Sequence, residues 1–177
     1  MPVRLARDSD RIPVAQMRAL LWPDGSFEEH LKEFDQRASY PFPLVNLVAE
    51  DAGGELTGFL EVDLRSHADG CDPARPVGFV EGWFVHERWR GRGVGGELMR
   101  AAEDGARSQG CTEMASDTWI DREGSQRAHV ALGFEIVTDA FTFGSLSRTQ
   151  SVENPRQIDP IEISCLNCSP FRCTLQM

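Results

Sequence analysis

VEGWFVHERWRGRGVGGEL, residues 80–98, is the stretch that decides the fold. Residues 77–86 read as a strand, residues 90–96 as a basic glycine-rich turn, and residues 94–109 as a helix. Val94, Leu98, Ala101, Ala102 and Ala106 fall on one side of that helix at helical spacing. A helix N-terminus leaves backbone N–H groups unpaired and carries partial positive charge. Glycines let an anion approach that backbone closely and permit turns that other residues resist. Arg88, Arg90 and Arg92 add charge suited to a diphosphate. The spacing Arg90-Gly91-Arg92-Gly93-Val94-Gly95 is not the dinucleotide fingerprint G-x-G-x-x-G, and no Gly-Lys-Ser/Thr makes it a Walker loop. The bland alternative is a strand-to-helix turn whose arginines are merely solvated.

Working outward, residues 3–6 read as a first strand, and Asp8, Ser9 or Asp10 can cap a helix that runs to Leu21 or Trp22. Ser26 with Glu29 forms a capping-box pattern for a second helix, which presents Phe27, Leu31 and Phe34. Residues 44–50 and 55–64 flank Asp51-Ala52-Gly53-Gly54 and read as a hairpin. Beyond the glycine turn, residues 111–117 read as a strand, 125–132 as a helix, and 134–146 as one or two closing strands. The order βααβββαβαββ implies an α/β fold, a mixed sheet with helices on both faces. Residues 1–146 are read as one domain. Residues 147–177 carry three prolines, three acids and three arginines without a clear periodicity, and are expected to be a weakly packed or partner-dependent tail.

The 177 residues carry 28 acidic and 18 basic side chains, a formal charge of −10. The tail is neutral, so the whole excess sits on residues 1–146. This argues against nucleic acid or an anionic membrane as partner and favours a cationic ligand. No apolar run approaches the roughly 20 residues of a membrane span, and residues 1–10 lack the apolar stretch of a signal peptide. A cytoplasmic protein is expected. Of five cysteines, Cys165, Cys168 and Cys173 cluster in the tail with no histidine nearby, an incomplete zinc set, so no metal site is expected.

The strand, turn and helix resemble the GNAT acyltransferase superfamily, whose acyl-CoA signature is R/Q-x-x-G-x-G/A. Arg90, Gly93 and Gly95 match it, and the likeness in element order covers residues 2–146. It implies acetyl-CoA as cosubstrate. Arg90, Gly91, Arg92, Gly93, Val94, Gly95 and Gly96 would hold its pyrophosphate, and the backbone of Phe84 and Val85 would pair with the pantetheine arm like an added strand. A second set narrows the resemblance: Leu21-Trp22-Pro23, Glu81-Gly82, the run 113–118 (EMASDT), Ser125-Gln126, and His129 followed by Leu132-Gly133-Phe134. Together these resemble the aminoglycoside 6'-N-acetyltransferases, which acetylate the 6'-amine of the antibiotic and so confer resistance.

That resemblance places Trp22, Glu81, Asp117 and Asp139 in the acceptor pocket. The chemistry agrees, because a polycationic sugar needs carboxylates for its ammonium groups and a flat face for its ring. Each residue also has a plainer reading: Trp22 as core, Glu81 as one half of an ion pair to an arginine, Asp117 as a helix cap and Asp139 as surface. The reaction implied is direct attack of a neutral amine on the thioester, with no acyl-enzyme. Carboxylates stabilise the ammonium, and each unit of raised pKa costs about 1.4 kcal/mol before attack. A base is therefore required, Glu81 or Asp117. His129 stands where many GNAT enzymes carry a tyrosine, and is the candidate acid for the leaving thiolate.

Some positions depart from the pattern. Arg122 stands where relatives often carry asparagine, and the loop 65–70 lacks the tyrosine expected beside the drug, leaving His67 or Asp69 to substitute. Two other readings stay open: a GNAT enzyme for another small amine or a protein N-terminus, and a CoA-binding module with little catalysis. A homodimer is compatible with the resemblance.

Overall fold

A computed structural model describes residues 1–37, 45–137 and 172–177. Eleven main elements follow one another along it. They are β1 (Val3–Leu5), α1 (Arg11–Leu21), α2 (Phe27–Arg37), β2 (Val45–Glu50), β3 (Leu56–Arg65), β4 (Val77–Val85), α3 (Val94–Ser108), β5 (Glu113–Asp117), α4 (Glu123–Val130), β6 (Phe134–Val137) and β7 (Arg172–Gln176). The local signals act where expected. Ser26 Oγ accepts the Glu29 N–H at 3.2 Å while Glu29 Oε2 accepts the Ser26 N–H at 2.8 Å, so the capping box starts α2. Asp51 Oδ1 accepts the N–H groups of Gly53 and Glu55, both at 2.9 Å, and closes the β2–β3 hairpin.

The seven strands form one sheet in the order β1-β2-β3-β4-β5-β7-β6. β1 to β4 are antiparallel, and β4, β5, β7 and β6 run parallel to one another. α3 covers one face through Leu98, Met99, Ala102 and Ala106, packed on Leu60, Val62, Val80, Met114 and Leu175. α1 and α2 cover part of the other face, with Val14, Met17 and Phe34 against Val48, Phe59 and Phe84. Each such fully buried aliphatic or aromatic side chain contributes roughly 1.5–3 kcal/mol.

β7 departs from the sequence reading. The expectation of a weakly packed tail does not hold for its last strand, which sits inside the sheet. Cys173 and Leu175 join the α3-side core, while Thr174 faces the other way, its Oγ1 3.3 Å from Cys71 Sγ. The physical reason is the gap between β5 and β6. Among the described residues β6 pairs only with β7, so this strand joins β6 to the rest of the sheet. Residues 138–171, with Asp139 and most of the tail, lie outside the described residues. Of the expected closing strands in 134–146, Phe134–Val137 is described.

Candidate active site

The register of β4 builds the site. Val80 pairs with Val62 of β3 but Gly82 pairs with Glu61, so Glu81 is the extra residue of a β-bulge. Alternation from Phe79 puts Glu81 on the α1 side of the sheet, where Arg65 meets it, and the bulge sets Gly82 on that side as well. On the other side, β4 and β5 are paired only as far as Val80 and Ser116. Beyond that point β4 continues to Val85, while Asp117 of β5 pairs with Gln176 of β7. The two strands therefore part like a fork. Glu81 and Asp117 are the first residues on its two arms.

Behind the β4 arm lies the glycine turn. Gly91 and Gly93 have φ of 72° and 83°, backbone that L side chains resist. A Cβ on either would meet nothing within 4 Å, so the turn faces open space. The first backbone bond from Gly93 into α3 is donated by the Glu97 N–H. The N–H groups of Val94, Gly95 and Gly96 precede it and point out of the helix end. This cradle fits a pyrophosphate. Of the arginines, Arg90 donates from Nε to the Val85 carbonyl at 3.0 Å and braces the turn. Arg88 pairs with Glu55, and Arg92 lies over the Trp89 ring, 5.2 Å from its centroid.

The other face of the fork is acidic and aromatic. Trp22 closes α1, and its ring rests on Gly82. A Cβ there would lie 2.5 Å from the Trp22 Cη2, so only glycine lets the indole settle beside Glu81. Arg18 lies over the same ring at 4.6 Å and is itself buried, bonded to Glu61 and Glu33. Glu81 is met by Arg65, the ion pair that the plainer reading allows. Asp117 is exposed at its strand end. His67 and Asp69 pair with each other at 3.4 Å.

His129 is buried between Trp83 and Phe134, edge-on to both at 5.1 Å. Its Nδ1 is 2.8 Å from the Ser125 carbonyl and its Nε2 3.0 Å from the Ser116 hydroxyl. The tautomer that satisfies both carries the proton on Nδ1, with Ser116 donating to Nε2. Burial lowers its pKa; the Ser125 carbonyl and the Asp117 charge pull the other way without reversing the shift. The ring is thus a neutral strut between the two arms. Burial likewise raises the thiols of Cys71 and Cys111, and pushes Cys173 up to about 12, so none is a poised nucleophile. The described residues contain no cluster of three metal-ligating side chains, and no helix there is long and apolar enough to cross a membrane.

Arg65, Arg18 and Ser116 were missed in the sequence. Period-two alternation along residues 56–65 would have put Glu61 and Arg65 on one face with Phe59. Gly82, an isolated glycine inside a strand, is a local sign of the bulge beside Glu81.

Residues 14–134 match the acetyltransferase (GNAT) family model. The chain belongs to the GNAT acetyltransferase family. It is 40% identical over 143 residues to an aminoglycoside N(6')-acetyltransferase type 1 of Klebsiella aerogenes, which covers 80% of this chain and 93% of that protein. A namesake from Stenotrophomonas maltophilia is 39% identical over 133 residues, 75% of this chain and 85% of its own length. Among solved structures, the apo aminoglycoside antibiotic 6'-N-acetyltransferase of Acinetobacter haemolyticus aligns with a TM-score of 0.71 at 29% identity, over 90% of this chain and 100% of that one. The enzyme AAC(6')-Iy, in complex with the bisubstrate analogue CoA-S-monomethyl-acetylneamine, aligns with a TM-score of 0.70 at 30% identity, over 89% and 97%.

Proposed function

We infer that this GNAT protein is an acetyl-CoA-dependent aminoglycoside 6'-N-acetyltransferase, an enzyme of antibiotic resistance. The observation that carries the reading is the fork. A backbone cradle for a pyrophosphate opens on one side, and two carboxylates and an indole stand at the parting of β4 and β5. The relatives above bear the same activity in their names. Acetyl-CoA supplies an activated acetyl group. The chain's own residues supply the rest.

The N–H groups of Val94, Gly95 and Gly96 hold the pyrophosphate, on a turn kept open by Gly91 and Gly93. The β4 arm at Phe84 and Val85 offers its edge to the pantetheine, and the Val85 N–H is placed to polarise the thioester carbonyl. Trp22 carries a sugar ring, and Asp117 holds one ammonium. Glu81, on the bulge, takes the proton that the attacking amine must lose. Asp139 remains a candidate for a further carboxylate contact. His129 is better suited to holding the arms than to giving a proton, since its Nε2 accepts from Ser116. The thiolate then leaves without a dedicated acid. The work is cytoplasmic, where acetyl-CoA is made, and two copies would pair as a homodimer through the end strands of the sheet, β1 or β6 among the described residues.

Thiol release from acetyl-CoA tests the reading. Kanamycin, with its 6'-amine, is expected to turn over. An analogue with a 6'-hydroxyl is expected not to. Turnover of both would move the acetylated position, and turnover of neither by protein that binds CoA would overturn the reading.

A further inference from the structure

Glu81 already holds a cation. Arg65, the last residue of β3, donates to Glu81 Oε1 from Nε at 3.0 Å and from Nη2 at 2.6 Å. Its guanidinium lies flat on Phe79, 3.4 Å from the ring centroid. We propose that Arg65 occupies, in the free enzyme, the place at Glu81 that an acceptor ammonium takes, so that the acceptor binds by exchanging one cation for another. This rests on the reading of Glu81 given above.

Three features favour exchange over a permanent clamp. The Arg65 and Glu81 side chains are 42% and 25% exposed, so water and salt weaken their attraction. The neighbouring Arg18–Glu61 pair, 7% and 2% exposed, is of the other kind; breaking it would strand a buried charge. Second, both Arg65 bonds converge on one oxygen. A guanidinium set square on a carboxylate engages both oxygens and is held more tightly. Third, Arg65 ends its strand and leads into the polar loop 66–76, and its guanidinium lies over an aromatic face along which it can slide.

An ammonium that seeks the oxygen Arg65 holds, Oε1, meets like-charge repulsion from the guanidinium. Arg65 must therefore yield, and the exchange returns little net binding from that one contact. An acceptor with a single ammonium gains least. One that brings several, with others left over for Asp117, gains most. Arg65 is on this account a specificity-determining residue that sets a minimum charge for the acceptor.

Calorimetric titration of kanamycin into the CoA-loaded protein tests this. Arg65→Met puts a long apolar side chain beside Phe79 and removes the charge. It is expected to tighten kanamycin about three- to fivefold, the full worth of a half-exposed pair. Arg65→Lys, which restores a cation, is expected to return affinity to near the wild-type value. In a Glu81→Gln background Arg65→Met should change nothing. Weaker or unchanged binding by Arg65→Met would overturn the exchange. Equal tightening in the Gln background would do so too, because any removed positive charge would then serve. If Glu81→Gln alone turns kanamycin over with the wild-type kcat, the reading of Glu81 itself falls, whatever Arg65 does. CoA affinity, measured on every variant, shows whether the fold is intact.

Discussion

The two sides of the fork are built on different plans. The cradle at residues 91–96 is made of backbone, contiguous in sequence, and its geometry is written in glycines. The acceptor face is made of side chains drawn from α1, β3, β4 and β5, brought together by a bulge and a strand divergence. Backbone sites depend on φ angles, which a residue type can dictate alone. Side-chain sites depend on packing, which no single segment contains.

The largest effect that would test this contrast is at Glu81. Glu81→Gln preserves shape and removes the proposed base, and is expected to lower kcat by about 10²- to 10⁴-fold, as general-base catalysis allows. The KM for acetyl-CoA should hardly move, because the cradle lies on the other plan. Steady-state kinetics at saturating kanamycin check both. A fall below tenfold would hand the role to Asp117.

The acceptor face also leans on β7, where Gln176 is the partner of Asp117 and Leu175 is fully buried. Leu175→Ala is expected to cost about 2–5 kcal/mol in urea unfolding, by lost transfer energy and the cavity left. If the cost is instead within a few tenths of a kcal/mol, the last strand is not the link between β5 and β6 described above.

The cradle gives the next effect. Gly93 has φ of +83° and open space at its Cβ position, so Gly93→Ala adds backbone strain without a clash. Strain of about 1–2 kcal/mol, met only when the turn holds its ligand-ready shape, would raise the acetyl-CoA KM about tenfold. Kanamycin affinity should stay as it was. Equal changes in both constants would show that the two sides are not separately built.

This contrast explains what the sequence disclosed. The run from Val80 to Leu98 carries a strand, a turn and a helix in order, and each is where local rules put it. The capping box of α2 and the Asp51 hairpin are likewise local. Trp22, Glu81 and Asp117 were legible as candidates only through resemblance; their meeting depends on the bulge at Glu81 and on pairing that stops at Val80 and Ser116. Arg65 could not be named as the partner of Glu81, because the two lie 16 residues apart on strands whose register shifts between them. β7 was hidden for another reason. RCTLQ has a strand's alternation, but it follows a proline- and cysteine-bearing tail and has only five residues, too few to stand out.

The smallest effect concerns the strut that joins the arms. His129 touches Trp83 on the β4 side and Ser116 on the β5 side, and its pKa is lowered chiefly by burial. Below the ordinary histidine value the unfolded chain takes up a proton that the folded ring does not. Stability contributed by the neutral ring is therefore full above about pH 6.5 and declines as pH falls toward the lowered folded value, at most by about 1.4 kcal/mol per unit of depression. His129→Gln keeps an acceptor near Ser116 and cannot titrate. Urea unfolding at about pH 7.5 and about pH 5 should show a drop in wild type that the variant lacks in part. The other histidines, present in both proteins, cancel in that difference. Identical drops would mean that the folded imidazole takes up a proton as readily as the unfolded one, with Nε2 then donating to Ser116. His129 would then regain its claim to be the acid at the fork.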